Sequence, residues 1–575
     1  MNRRNFLLNF FLWVLSFIFG YRIGGMTKVD SNLISSLDAR SDSEEIKILK
    51  EAIANKDNYF NVMNPQFNVR TDGKDTTLAL REVINYCKLN NKIPYFPKGT
   101  YTVAPDLWRT GIRSDRYWAC LDIPSDITLH FEKGAILQLI VNAPAWTRVL
   151  VISSSNVSIT GEVEIDGQCR TVTNGNEHMA GLFIFNAKNL YIQSVYSHDC
   201  YGDNVFIGGT EQSYSDNVVI DYVNGVKAGR KNLVIHYVDK LHIKTALLDN
   251  SQGGASDGWI GDHSLDLEPD AFKGTRKFHQ KIDYLSTYGT GNDFTVGITQ
   301  ELARMWVLEV GTFNVKRIRT ELTGKSVILS YGLTAKIDNL NIVQDENETA
   351  VGLDLKYSAM WEIRNLSIEG GLDYAIRINS ANGNVPSLKA NSIEINRPNG
   401  KGLDIESAYV NIGVLKANKL KDLLLDVFAI NSNFAVTIDS IISIDSCSSY
   451  IVNLSGSAGQ VPYVFIYNIF VTDSRTVKPA AIINCWTTGA VNGLTLGSIR
   501  NPDSIKELNF SANINTKYLK IAGGSLLPSF FICYGTPEGI ISAPVGSQAM
   551  RADGGVGTSM YVKENGTGNT GWVAK

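Results

Sequence analysis

The chain has little of what a metal centre, a disulfide scaffold or a nucleic-acid binder needs. Its seven cysteines, at 87, 120, 169, 200, 447, 485 and 533, are odd in number and scattered through 575 residues. No CxxC occurs and no histidine stands at zinc spacing, so the cysteines read as small core side chains rather than ligands or bridges. Charge of one sign is also missing. The 54 basic and 57 acidic residues leave a formal net charge of -3, which excludes the basic footprint of a nucleic-acid or anionic-membrane binder. Proline is scarce, at 15 residues against 50 glycines. Glycine-rich turns between β-branched runs are the composition of an all-β protein.

Only one long apolar run is present. In "MNRRNFLLNFFLWVLSFIFG" it extends from Phe6 to Phe19, broken by Asn9 and Ser16. That is shorter than the roughly 20 residues of a membrane span and suits a signal h-region. Arg3-Arg4 adds a twin-arginine look, yet no A-x-A cleavage site follows. Two readings stand: an export or membrane segment, or an apolar plug that docks into a partner. Beyond it, Leu33, Leu37, Ile46, Leu49 and Ile53 form one narrow helical stripe. Such a stripe needs a partner to be stable, and self-association is expected.

From about residue 150 the chain repeats itself. A polar residue and a short alternating strand recur as "NVSIT" (156–160), "NLYIQ" (189–193), "KLHIK" (240–244), "NLNIV" (339–343), "NLSIE" (365–369), "NSIEI" (391–395), "SIISI" (440–444) and "NIFVT" (468–472). Leu340, Leu366 and Ile393 are 26 and 27 apart, and Ile442 to Ile469 is 27 again. A second series, "GLDLK" (352–356), "AIRIN" (375–379), "GLDIE" (402–406) and "YIVNL" (450–454), runs between them. Short strands at this period, without intervening helices, predict a solenoid of the parallel β-helix type. Between about 193 and 335 the spacing is irregular, with insertions such as 208–231 and 251–263. Loops that leave a regular scaffold are where function is built.

"SLDLEPD" (264–270) lies in that irregular stretch. As a strand it turns Leu265 and Leu267 inward and stands Asp266 and Glu268 on the outer face. Two neighbouring carboxyl groups are what general acid–base chemistry needs, one giving a proton and one acting as base or nucleophile. Asp266 and Glu268 are the expected catalytic pair, joined by Asp203 from "SHDCYGDNV", where His198 and Asp199 stand at the preceding turn. Arg230, Lys231, Lys273 and Arg276 are expected to grip an anionic group of a substrate. Of the loop tryptophans Trp108, Trp118, Trp146 and Trp259, the last, beside the acids, is the first candidate for stacking on a bound substrate.

The segment 67–103, with Asp72-Gly73, Asp75-Thr76 and the run Phe96-Pro97-Lys98-Gly99-Thr100-Tyr101, resembles the N-terminal cap of pectate-lyase-like β-helix proteins. The last 41 residues, "GTPEGIISAPVGSQAMRADGGVGTSMYVKENGTGNTGWVAK" (535–575), resemble the closing segment of phage tail fibres and tailspikes, with Tyr561 and Trp572 as anchors. The phrase "GRKN … LDLEPD" resembles a stretch of bacterial and phage β-helix proteins, which carries over Arg230, Asp266 and Glu268 as site residues.

Together these features resemble a tailspike with capsular polysaccharide depolymerase activity. The resemblance implies a right-handed parallel β-helix and a homotrimer on the virion, acting at the bacterial surface. It implies docking of residues 1–25 into a phage tail or baseplate protein, and no nucleic-acid partner. The expected domains are an apolar anchor and short helix at 1–60, a β-helix cap at 61–150, a glycan-binding and catalytic β-helix at 151–510, and a C-terminal trimerisation or binding segment at 511–575. Catalytic residues Asp203, Asp266 and Glu268 are expected, with Arg230, His198, Trp259 and Arg276 binding substrate, and no cofactor or metal. Two alternatives stay open: a lyase of the same fold, using Arg, Lys or His as base and calcium on Asp203, Asp266 and Asp270, and an adhesin that binds glycan without cutting it.

Overall fold

The computed structural model describes residues 58–575 except 111–115, 211, 251–262, 268–276, 290–295, 299–305, 318–324, 345–349, 358, 371, 381–384, 397, 430–433, 448, 457–462, 488–493, 504, 506–507, 511–518 and 522–527. The anchor readings for residues 1–25 and the stripe that follows lie outside these residues, as do Trp259, Glu268, Asp270, Lys273 and Arg276.

Two long sheets of mostly parallel strands make a parallel β-helix. One sheet collects long strands such as Thr334–Gln344, Met360–Glu369 and Ser387–Asn396. The other collects the short strands between them, such as Ala350–Lys356, Tyr374–Asn379 and Lys401–Glu406. The two series read from the sequence are these two sheets.

Each long strand bends once. In Thr334–Gln344, Ala335 and Ile337 point inward, Asp338 and Asn339 both point out, and Leu340 and Ile342 point inward again. Asparagine explains the bend, because its amide bridges coils. Asn365 Nδ2 donates to Asn339 Oδ1 at 3.0 Å, and Ser392 Oγ donates to Asn365 Oδ1 at 2.9 Å. Upstream a different ladder marks the turn that opens each long strand. Asn156, Asn189 and Asn217 take left-handed φ of 58°, 55° and 56°, a conformation asparagine tolerates. Their amides donate to Asp126, Asn156 and Asn189 in turn.

The core is a set of stacked apolar columns. Leu340, Leu366, Ile393, Leu415, Ile441 and Ile469 pair coil to coil, all at 2% exposure or less. This corrects one spacing. Ile469 pairs with Ile441, while Ile442 pairs with Phe470 on the outer side. A slip of one residue exchanges inside for outside. It also separates the "NLxI" repeats into two columns. Those at 156–160, 189–193 and 240–244 fill the first half of the long strands and those from 339 onward the second half.

The helix Thr77–Leu89 buries Leu80, Val83, Ile84 and Cys87, which share one stripe at helical spacing. Asp75 Oδ1 accepts from the Thr77 backbone N–H at 2.9 Å, closing the helix N-terminus. Arg81 Nη2 donates to the Ala119 carbonyl at 3.1 Å and to that of Cys120, on the strand Arg116–Asp122. At the other end, Phe530–Cys533 runs antiparallel to Leu519–Ile521. Past it, Phe531, Ala549, Tyr561 and Trp572 form a small core of their own. Trp572 Nε1 donates to the Ile541 carbonyl at 2.7 Å. The neighbour that this short segment needs is supplied in part by the last coil of its own chain.

One turn carries a prediction. Arg475 grips Asp473 through Nε and Nη2 at 2.9 and 2.6 Å, and reaches the Ser446 and Cys447 carbonyls of the coil before. Burial pushes the Asp473 carboxyl up, but the hydrogen bonds and charge of Arg475 win, and the net shift is downward. A depressed carboxyl stabilises the fold above the ordinary carboxylate range, and that stabilisation is lost as pH falls through the folded value. Asp473→Asn is therefore expected to cost about 1–3 kcal/mol at neutral pH, with the difference shrinking in acid. Denaturation midpoints across pH check this.

Candidate active site

The short-strand sheet bears an unusual outer face between residues 116 and 267. The strands Thr147–Ile152, Ala180–Phe185, Asp203–Gly208 and Lys231–Ile235 are buried at every residue. Leu150, Leu182, Val205, Leu233 and Leu265 stack as one inward column. Phe183 and Phe206 lie on the opposite side, where they form a second apolar cluster with Tyr117, Val151, Phe185 and Val234. Phe183 stacks on Phe206 at 4.9 Å and meets Tyr117 at 5.2 Å between ring centroids. Trp146 packs against this cluster and stacks on His178 at 4.4 Å.

Beside the rings runs a charged row. Ala119, Arg148, Ala180 and Asp203 are coil-to-coil partners, and the pairing of Val205 with Leu233 puts Lys231 next, beside Asp203. Asn204 and Asn232, both fully buried, turn the other way, with Asn204 Nδ2 donating to Asn232 Oδ1 at 2.7 Å. The turns that deliver the row are packed without space. A Cβ on Gly229 would lie 1.9 Å from the Tyr201 carbonyl oxygen. The Gly229 and Arg230 N–H groups donate to Cys200 and Gly202 across that contact. Glycine in "KAGRKN" thus sets Arg230 and Lys231 in register with Asp203.

Each described acid of the row is met by a cation. Arg230 Nη1 lies 3.5 Å from Asp203 Oδ2, and Lys231 Nζ donates to Asp266 Oδ2. Asp266, only 1% exposed, is a buried partner rather than an acid standing in solvent as the strand alternation alone suggested. Leu265 and Leu267 point inward as expected, at 0%. Asp266 also belongs to a longer series. Asp354, Asp404 and Asp426 occupy its register position in later coils. There Arg377 holds Asp354 and Lys401 contacts both Asp404 and Asp426. The acid of "SLDLE", "GLDLK" and "GLDIE" is therefore a recurring outer-face position whose charge a cation of its own or an adjacent coil meets.

Asp203 and Asp266 sit two coils apart and are staggered by three residues. With about 4.8 Å between strands and about 3.3 Å per residue, their backbones are about 14 Å apart. His198 stands elsewhere, at the end of the long strand Lys188–His198. Its Nδ1 lies 2.8 Å from Asp199 Oδ2 and its Nε2 3.4 Å from Glu164 Oε1. Ligand atoms of Asp166, His198 and Asp199 come within 4.8 Å of one another, and Asp166 also accepts from Gln138 and Gln168. The structure thus brings Asp203, Arg230, Lys231 and Asp266 together on one face and sets His198 in a separate polar corner.

The residue that sequence reasoning missed is Arg148. It is 7% exposed, with its guanidinium 4.7 Å from the centroid of Phe183 and 5.7 Å from that of Tyr117. No hydrogen-bond acceptor reaches Nε or Nη1 among the described residues. Burial pulls the guanidinium down to about 10; the charges of Asp203 and Tyr117 oppose that shift and Arg230 adds to it. The signal was one arginine inside the otherwise apolar strand "TRVLVI".

No family model and no curated protein matches the chain. Among solved structures, a mutant tailspike of E. coli bacteriophage HK620 in complex with pentasaccharide is 13% identical, with 91% of this chain and 92% of that chain covered and a TM-score of 0.39. The pre-mature bacteriophage phi29 gene product 12 is 10% identical over 83% of this chain and 74% of that one, with a TM-score of 0.33. The Agl-KA catalytic domain is 14% identical over 81% and 68%, with a TM-score of 0.29.

Proposed function

We propose that the chain is a phage tailspike that binds a bacterial capsular or other surface polysaccharide and cleaves it by glycoside hydrolysis. The observation that carries this reading is the outer-face row of buried charged side chains flanked by aromatic rings. It lies on the strands Thr147–Ile152, Ala180–Phe185, Asp203–Gly208 and Lys231–Ile235; the stretch 208–231, expected as an insertion, instead carries the regular strand Ser215–Val226. Apolar surface with a few convergent polar groups is what a sugar-binding site needs. Residues two apart in an extended strand, the sequence spacing of Asp266 and Glu268, stand about 6.6 Å apart at the backbone, within range of the carboxyl separations used in hydrolysis. Because an opposite charge favours the ionised form, Asp266 beside Lys231 suits the base or nucleophile role, and Glu268 that of proton donor. Asp203 completes the acid set, and Arg230, Trp259 and Arg276 bind the substrate; His198, set in its separate corner, is left out of this face. Residues 1–25 plug into the tail, three chains assemble on the virion, and the enzyme acts outside the host.

The cations at Asp203 and Asp266 favour one second reading, elimination, in which Arg230 or Lys231 serves as base or stabilises the uronate carboxylate. Mass spectrometry of fragments from capsular polysaccharide separates the readings. Repeat-unit oligomers that carry one added water are expected. Fragments lacking that water would replace hydrolysis by elimination, and polymer left intact but bound would leave an adhesin.

A further inference from the structure

We infer that Arg148 is the carboxylate-binding residue of this face, and that the substrate is an acidic polysaccharide whose uronate or related carboxylate docks on its guanidinium. The inference rests on the glycan-binding reading above and names its substrate class. A buried cation in a protein is ordinarily paired, because desolvating it alone is costly. Arg148 departs from that rule. Two faces of its surroundings are aromatic, Tyr117 and Phe183, and these hold the guanidinium plane without satisfying its N–H groups. Its Nε and Nη1 are closed off from solvent and lack an acceptor among the described residues. The nearest acid in the row, Asp203, feels the charge of Arg148 but is not within ion-pair distance of it, and Arg230 lies 3.5 Å from that carboxylate.

The other cations described on this sheet face illustrate the contrast. Lys231 reaches Asp266, Arg377 reaches Asp354 with two nitrogens, and Lys401 reaches Asp404 and Asp426. Lys231 meets an acid of the next coil and Arg377 one of the coil before, whereas the coil-to-coil partners of Arg148 are Ala119 and Ala180. A planar guanidinium packed against rings, with no acceptor at Nε or Nη1 among the described residues, is matched in shape and charge by a planar carboxylate. The anion that the described residues do not supply is the one the sugar brings.

The test uses the full chain, with D-glucuronate as probe and D-glucose as its uncharged control. Glucuronate is expected to raise the thermal unfolding midpoint of the wild type in a saturable way, and glucose is not. Arg148→Met should weaken the glucuronate response by about tenfold or more. Arg148→Lys, which keeps the charge and loses the fork, should weaken it by about threefold or more. Without ligand, Arg148→Met should unfold no lower than the wild type, since it removes an unpaired buried charge; a purely structural arginine would give a lower midpoint. Equal glucuronate responses in the wild type and both variants would overturn the inference, as would a wild type that responds no better to glucuronate than to glucose. Polysaccharide cleavage is followed separately. Cleavage without a glucuronate response sinks this inference alone, whereas an Arg148-dependent response without binding or cleavage of any polymer sinks the tailspike reading alone.

Discussion

Asp266→Asn is expected to lower folding stability by about 3–5 kcal/mol, the cost of leaving one partner of a buried ion pair behind. Lys231 and Asp266 have side chains only 7% and 2% exposed, so solvent does little to replace the lost charge. Replacing both, as Lys231→Met with Asp266→Leu, should recover most of the loss, because an apolar pair of similar size is often as stable as a buried ion pair. Denaturant midpoints of the wild type, the single variant and the double variant check this. A single variant as stable as the wild type would mean that the pair is not desolvated. Loss of activity in Asp266→Asn alone is therefore no proof of a catalytic role, and activity must be read on protein shown to be folded.

The second large effect belongs to Glu268. As proton donor to the leaving oxygen it should contribute about 10²–10⁴-fold in rate. Glu268→Gln keeps the shape and removes the proton, so oligosaccharide release should fall by that factor while polysaccharide retention on the protein stays near wild type. Initial rates of reducing-end formation, with binding measured on the same preparation, decide it. Undiminished release would remove Glu268 from the mechanism, and elimination with Arg230 or Lys231 would become the better account.

Much of the architecture was legible because a solenoid writes its period into its apolar residues. Leu340, Leu366 and Ile393 stack as their spacing predicted, and the "LDL" strands turn their leucines inward. The helix at 77–89 lies in the segment whose motifs resembled a β-helix cap. Phase was harder to read. "NLYIQ" and "NLNIV" look alike, yet one opens at a left-handed asparagine and the other follows a mid-strand bend. Both solve the same problem of presenting an amide to the next coil, so the same letters appear at two heights.

The site was legible in part. Asp203, Arg230 and Asp266 do share a face, but the acids that looked like a catalytic signature recur as Asp354, Asp404 and Asp426, where cations neutralise them. Local pattern does not distinguish a ladder position from a reacting group, since both want an outward carboxylate. Arg148 was invisible for the opposite reason. Its meaning lies in what does not face it, and that emerges only after the coils are stacked.

The reversed strand Phe530–Cys533 has a consequence for how such a molecule behaves in a crowded lysate. A stack of parallel coils presents at its last rung the same unpaired backbone groups that recruited every earlier rung, and left bare it would invite another molecule to continue the column. Laying an antiparallel strand on Leu519–Ile521, and following it with a compact tryptophan-anchored knot, ends the column with a shape that no further parallel coil can copy. In the long-strand sheet, end-to-end fibre growth, the standing hazard of an open solenoid, is thus opposed by a change of direction in four residues.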